Sequence, residues 1–305
     1  MKKRFLSFLI ALLSVFGAAA PENLGLARKP ADKALDKSKF QLVWQDEFDG
    51  DSVDWNKWSY EWWVTERRGG FWHKDMLEVK DGKLIIHSEC LDHALENEYY
   101  EKWKDEIDFK DYKPGWYTSQ ITTNGKYEQK YGYFEARCKV PASTGMWSAF
   151  WMMNDGVYEI DGTGNDGTEI DVFESLSYNL HRFGLDTVES NLHFDGYREA
   201  HRYKHVGKYL IKPDPYADFV TYGVEWNPDE YIFYVNGKET ARSSFGGVSD
   251  NPEYLLLSTE IAGNNGIAEE DPKNTGRMRI MGDEHPQFEI EYVRCYQYKD
   301  ILENQ

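Results

Sequence analysis

Cysteine is scarce: Cys90, Cys138 and Cys295 are the only three in 305 residues. They allow at most one disulfide, and none has the paired C-x-x-C spacing of a zinc or redox motif. Each falls in a strand-like run, where a free cysteine acts as a small buried hydrophobe. Positive charge is also short, with 35 Lys and Arg against 53 Asp and Glu and a formal net charge of −18. Phosphate backbones and anionic surfaces are bound by clustered cations, which argues against nucleic acid and against a densely sulfated polymer. After residue 20 no apolar run is long enough to span a bilayer, so no membrane anchor is expected. Repeats and dividing linkers are lacking too, which predicts one domain over residues 40–300 and a monomer.

What the chain does have is aromatic side chains, 16% of the total, enough to offset the entropy of ordering. Lys2, Lys3 and Arg4 precede a largely apolar run from Phe5 to Phe16, and Ala18 and Ala20 give a small-x-small cleavage pattern. Residues 1–20 therefore read as a secretory signal peptide, implying a secreted or periplasmic protein. Residues 21–39 are polar and aperiodic and read as a leader. From Leu42 onward short alternating runs are separated by turn signals. Tyr117–Thr123 closes on Asn124-Gly125, and Phe134, Ala136, Cys138 and Val140 alternate. The run from Phe219 to Trp226 leads through Asn227-Pro228-Asp229 to Tyr231–Val235, and Asn236-Gly237 turns the chain again. Strands at this spacing predict an all-β sandwich or barrel. The segment Leu91–Asp111 departs from the pattern and reads as a weakly amphipathic helical insertion.

The chemistry concentrates in Glu169-Ile170-Asp171-Val172-Phe173-Glu174. Glu169 and Asp171 share a strand face, whereas Glu174 would point the opposite way in a regular strand. One bulge near Val172-Phe173 restores the parity and places three carboxylates together. Such a row repels itself, and it makes sense where proton transfer needs carboxyl groups of different acidity. Glu-Ile-Asp also occurs at 106–108 and 159–161, but only here does a glutamate follow at the fifth position after the first. Upstream, Trp147, Ala149 and Trp151 share one face while Phe150 and Met152 take the other. Tryptophan beside carboxylates suits a sugar ring, whose faces are apolar and whose edge is polar.

These motifs resemble glycoside hydrolase family 16, the laminarinase, lichenase, agarase and carrageenase group. E-I-D-V-F-E follows a G-x-W-x-A-F-W-M strand, and further matches span the chain in order. Trp44-Gln45-Asp46-Glu47-Phe48, Asp81-Gly82-Lys83-Leu84 and Tyr131-Gly132-Tyr133-Phe134-Glu135-Ala136-Arg137 are similar to family segments. So are Glu225-Trp226-Asn227-Pro228, Tyr234-Val235-Asn236-Gly237 and the closing Tyr292-Val293-Arg294-Cys295-Tyr296. The resemblance implies a jelly-roll β-sandwich of two curved antiparallel sheets, with a polysaccharide cleft on the concave face. It implies a retaining mechanism with Glu169 as nucleophile, Glu174 as acid/base and Asp171 tuning both, and no cofactor in the chemistry. It places His193 in the cleft and a substrate-contacting loop over residues 61–74, containing Trp62, Trp63, Arg67, Arg68 and Trp72. It also implies a structural Ca²⁺ held by Glu47, the Gly82 carbonyl and Glu291, hard oxygen donors that suit this ion.

The expected substrate is a neutral β-glucan with β-1,3 or mixed β-1,3/1,4 linkages, cleaved internally. The bulged triplet resembles the laminarinase and agarase side of the family. An agarase- or porphyranase-type galactan hydrolase stays open because Arg67 and Arg68 could contact sulfate, and a transglycosylase would use the same residues. A non-catalytic carbohydrate-binding sandwich would be expected to have lost one of the two glutamates, and both are here.

Overall fold

The computed structural model describes residues 29, 31–60, 66–98, 100–105, 111–176, 178–261 and 285–304. The segment read as a signal peptide, and Trp62 and Trp63, lie outside the described residues. An eight-stranded sheet runs in the order Lys238–Ser243, Tyr231–Val235, Val220–Trp226, Gly132–Lys139, Gln287–Tyr298, Lys83–His87, Leu77–Lys80, and Phe40–Asp46 also pairs with Gln287–Tyr298. Against it lies a six-stranded sheet in the order Arg202–Leu210, Thr187–Phe194, Glu169–Ser175, Met146–Met153, Tyr254–Ile261, Gln120–Thr122.

The predicted alternation explains the packing. Phe134, Ala136 and Cys138 meet Phe150, Met152, Ile170 and Leu192 in one core between the sheets, all fully buried. Burying a side chain of this size is worth about 1.5–3 kcal/mol, so the inner faces fix the register. Cys138 and Cys295 belong to this core, and none of the three cysteines is in a disulfide. Asn236 and Gly237 have φ of 49° and 70°, the left-handed pair a two-residue hairpin needs, and Val235 pairs with Lys238.

Three expectations change. Asn124-Gly125 does not close a hairpin: Gln120–Thr122 pairs with Tyr254–Ile261, while Gly132–Lys139 belongs to the other sheet. The turn instead carries the chain between sheets. The helical insertion shrinks to one described turn, Tyr100–Trp103, because Leu95 and Tyr112 pack with Phe71, Met76 and Tyr117 rather than along one helix face. The third change is an additional four-stranded sheet, Glu66–Arg67, Gly70–Trp72, Gly115–Thr118 and Glu89–Leu91, whose Gly70–Trp72 and Gly115–Thr118 strands run parallel. Gly70 permits its approach: a Cβ there would lie 2.6 Å from Ile261 Cγ1.

Part of the segment read as a leader is docked. Ala31 N donates to Glu239 O and Leu35 N to Gly237 O, each at 2.8 Å, and Lys37 Nζ reaches buried Glu135 at 2.9 Å. No helix among the described residues is long and apolar enough to cross a membrane.

Candidate active site

The predicted bulge is present. Phe150 pairs with Phe173 and Trp151 with Asp171, so Val172 is an extra residue on the Glu169–Ser175 strand. Ile170, Val172 and Phe173 all point into the core, and Glu169, Asp171 and Glu174 share the opposite face. Strand pairing extends this face into rows. Glu169 lies opposite His193, and His193 opposite Tyr203; Asp171 lies opposite Asn191, and Asn191 opposite His205.

Glu174 is nearly buried and held by two donors. Trp147 Nε1 donates to Oε1 at 2.6 Å, and Asn191 Nδ2 donates to Oε2. Asn191 Oδ1 in turn lies 2.9 Å from His205 Nδ1, which fixes the amide orientation. Burial, then the charges of Asp171 and Glu169, push the Glu174 pKa well above the ordinary carboxyl range despite these donors. Glu169 is less enclosed, at 13% side-chain exposure, and its Oε2 accepts from Tyr197 Oη. Burial and then Asp171 raise its pKa to about 7, while His193, Tyr197 and Arg67 pull it back. His193 Nε2 lies 3.2 Å from Asp171 Oδ2 and 4.0 Å from Glu169 Oε1. Burial lowers the imidazole pKa, but Asp171 and Glu169 outweigh it and raise it. Burial and mutual repulsion raise the pKa of both Glu169 and Glu174, and their proton losses belong to the pair.

The structure thus brings Glu169, Asp171, Glu174, Trp147 and His193 together. Arg68 joins them indirectly: its guanidinium sits 3.7 Å from the Trp147 ring centroid, and its Nε donates to Glu260 at 2.7 Å. Trp151 and Trp72 are corrected. Trp151 is 7% exposed, packs with Val157, Tyr254 and Leu256, and donates to Ser258 Oγ at 3.0 Å. Trp72 is 1% exposed, donates to Thr259 O at 2.8 Å and lies beneath Arg67. Neither leaves an open ring for a sugar. Tyr197, Asn191 and Tyr203 were not anticipated. Alternation back from His193 would have flagged Asn191, but Tyr197 reaches Glu169 from a loop and carries no periodic signal.

The calcium ligands expected at Glu47, Gly82 and Glu291 line one cavity of about 540 Å³ with Asp49, Asp81 and Arg294. The donor set does not fit a cation as arranged. Arg294 binds Glu47 through Nε at 2.7 Å and Nη2 at 2.9 Å, and Arg137 binds Glu291. Both guanidinium groups already neutralise these carboxylates, so an ion would compete with two fixed positive charges.

A family model described as "Beta-porphyranase A-D, GH16 domain" matches residues 41–298. The chain belongs to glycoside hydrolase family 16. Glucan endo-1,3-beta-glucosidase A1 of Niallia circulans is 28% identical over 88% of this family 16 chain, which spans only 39% of that relative. Beta-glucanase of Rhodothermus marinus is 25% identical over 90% of this chain and 91% of its own length. Among solved structures, the laminarinase catalytic domain of Thermotoga petrophila superposes with a TM-score of 0.62 at 25% identity, covering 85% of this chain and 98% of that one. Porphyranase B of Zobellia galactanivorans gives 0.63 at 24%, over 85% and 92%, a likeness of fold. The two-sheet architecture is the family 16 jelly roll.

Proposed function

We propose that this protein is an endo-acting retaining glycoside hydrolase that cleaves a neutral β-glucan with β-1,3 or mixed β-1,3/1,4 linkages. The observation that carries the reading is the bulge at Val172, which puts Glu169 and Glu174 on one sheet face with Asp171 between them. Retaining chemistry needs two carboxyl groups roughly 5–5.5 Å apart, one ionised and one protonated. Glu174 gives its proton to the leaving glycosidic oxygen as a Glu169 oxygen attacks the anomeric carbon. The carbon–oxygen bond breaks and a glycosyl ester forms on Glu169. Water then attacks the same carbon, Glu174 takes its proton, and Glu169 is released as carboxylate. Asp171 lies beside both glutamates, His193 beside Asp171 and Glu169, and Trp147 orients Glu174.

Two observations favour glucan. Two relatives matched over most of the chain, from Niallia circulans and Rhodothermus marinus, are named for action on glucan. Arg67 and Arg68, the groups a sulfate would need, both point to Glu260. The porphyranase description of the matching family model favours a galactan as the second reading. The proposed catalytic domain spans residues 40–300 of a monomer that reaches a secreted or periplasmic location through residues 1–20.

Incubation with laminarin, barley β-glucan, agarose and porphyran, followed by product sizing, separates the two substrates. Internal cleavage of the glucans with β-configured first products is expected. Products of inverted configuration, or a Glu169→Gln variant that still turns over, would overturn the mechanism.

A further inference from the structure

The connection between strands Thr187–Phe194 and Arg202–Leu210 is short and firmly anchored. Asp195 and Gly196 have φ of 60° and 69°, and Gly196 N donates to Val157 O at 2.6 Å. Asp195 Oδ1 accepts from Gly162 N at 3.0 Å, and Arg202 pairs with Asp195 Oδ2 at 3.2 Å. Left-handed backbone at Asp195 turns the chain so that Tyr197 and His201 reach the site while residues 197–199 stay exposed.

Two side chains of this loop reach the site. Tyr197 Oη donates to Glu169 Oε2, and its ring is steadied edge-on by Tyr158 at 5.7 Å. His201 Nε2 lies 2.9 Å from His193 Nδ1. Their rings are within 10° of parallel with centroids 5.1 Å apart. That separation is what facing nitrogens at 2.9 Å plus two ring radii give, so the imidazoles meet edge to edge and are not stacked. With Nε2 toward Asp171, an imidazolium at His193 donates Nδ1–H to neutral His201, the arrangement that the two carboxylates beside His193 favour over a neutral pair. Burial and the His193 charge lower the His201 pKa, consistent with its acceptor role.

We propose that the 195–201 loop is a positioning device for the nucleophile, in which Tyr197 orients Glu169 and His201 holds His193 as the cation facing Asp171 and Glu169. The inference rests on the glycosidase reading for its kinetic consequence, but not for its contacts. Among the described residues, the charged or titratable groups facing Glu169 are Asp171 and Glu174 on its own strand, His193 on the next, Tyr158 from the turn Asp155–Tyr158, Tyr197 from the loop and Arg67 from the small sheet. Around His193 they are Asp171, Glu169, His201 and Tyr203. Among the described residues, the loop's Tyr197 and His201 are the ones that hydrogen-bond Glu169 Oε2 and His193 Nδ1. Removing either one withdraws support from the ionised nucleophile.

The test compares the wild type with Tyr197→Phe, His201→Ala and His201→Gln, the last of which keeps an acceptor. Histidine ring resonances are followed by NMR titration, and kcat and KM on laminarin are measured across pH. His201→Ala is expected to lower the His193 midpoint by about one pH unit, with His201→Gln restoring most of it. In both Tyr197→Phe and His201→Ala the acidic limb of kcat/KM moves to higher pH while KM changes less than kcat. An unmoved His193 midpoint, or a loss of rate uniform across pH, overturns the proposal. If the wild type cleaves no glucan, the functional reading fails, while the His193 titration still decides whether His201 holds its charge.

Discussion

Trp147 and Glu174 stand on paired strands, and the indole Nε1 donates to the carboxylate Oε1 at 2.6 Å. The far side of the same indole is covered by Arg68, itself held by Glu260. The ring that motif reading assigns to a sugar therefore also fixes the acid/base. Trp147→Phe keeps an aromatic face but deletes the donor. A hydrogen bond to a charged group is worth about 1.5–3 kcal/mol, so kcat should fall roughly 10- to 100-fold. Because the lost donor favoured the ionised form, the alkaline limb should also move to higher pH. An unchanged alkaline limb in the kcat profile would show that the bond does not govern Glu174.

The roles of the two carboxyl groups predict a bell-shaped kcat/KM profile. Glu169 must lose its proton to attack, and its pKa is raised to about 7, so activity should climb as pH rises through that region. Glu174 must keep its proton, and burial holds its pKa well above the ordinary carboxyl range, so activity falls at higher pH. Measured limbs belong to the coupled group as a whole. Full activity maintained at pH 5 would contradict a nucleophile buried as Glu169 is.

Much of this arrangement was legible in the sequence because it obeys period-two alternation. Phe134, Ala136 and Cys138 on one sheet, and Phe150 and Met152 on the other, declared the core directly. Glu174 was legible because its odd offset from Glu169 demanded a bulge. Tryptophan exposure was not: Trp151 shares a face with Trp147, but Tyr254 and Leu256 cover it. Pairing preferences were hidden as well. Nothing local says that Arg67 and Arg68 would converge on Glu260, nearly two hundred residues away, or that Gly115–Thr118 would run parallel to Gly70–Trp72.

The guanidinium contacts on the eight-stranded sheet predict how the fold responds to metal removal. Glu47 is held by Arg294 and Glu291 by Arg137, so the carboxylates are already compensated. Thermal unfolding should be unchanged, within about 1 °C, between excess EDTA and millimolar CaCl₂, because a ligand stabilises only where it binds the folded state. A Tm several degrees lower in EDTA would mean that calcium displaces these arginines. Arg294→Ala removes the competing cation, and its Tm should rise with added calcium where that of the wild type does not.

Glu253 predicts an alkaline weakness in the fold. The residue is fully buried, with the Ser249 side chain and the Thr168 backbone as hydrogen-bond partners of its carboxyl group. Burial raises its pKa from 4.5 to about 8, with Ser249 and Thr168 pulling weakly the other way. In the unfolded chain the same group ionises near 4.3. Between those two values the folded protein binds the extra proton, so stability declines as pH rises through this window and levels off above about 8. The accumulated loss is on the order of a few kcal/mol. Glu253→Gln is nearly isosteric and cannot ionise, so it escapes the decline. Its Tm relative to wild type should be similar at pH 4.5 and progressively higher toward pH 9. Parallel Tm curves for the two proteins across that range would show that Glu253 does not keep its proton when folded.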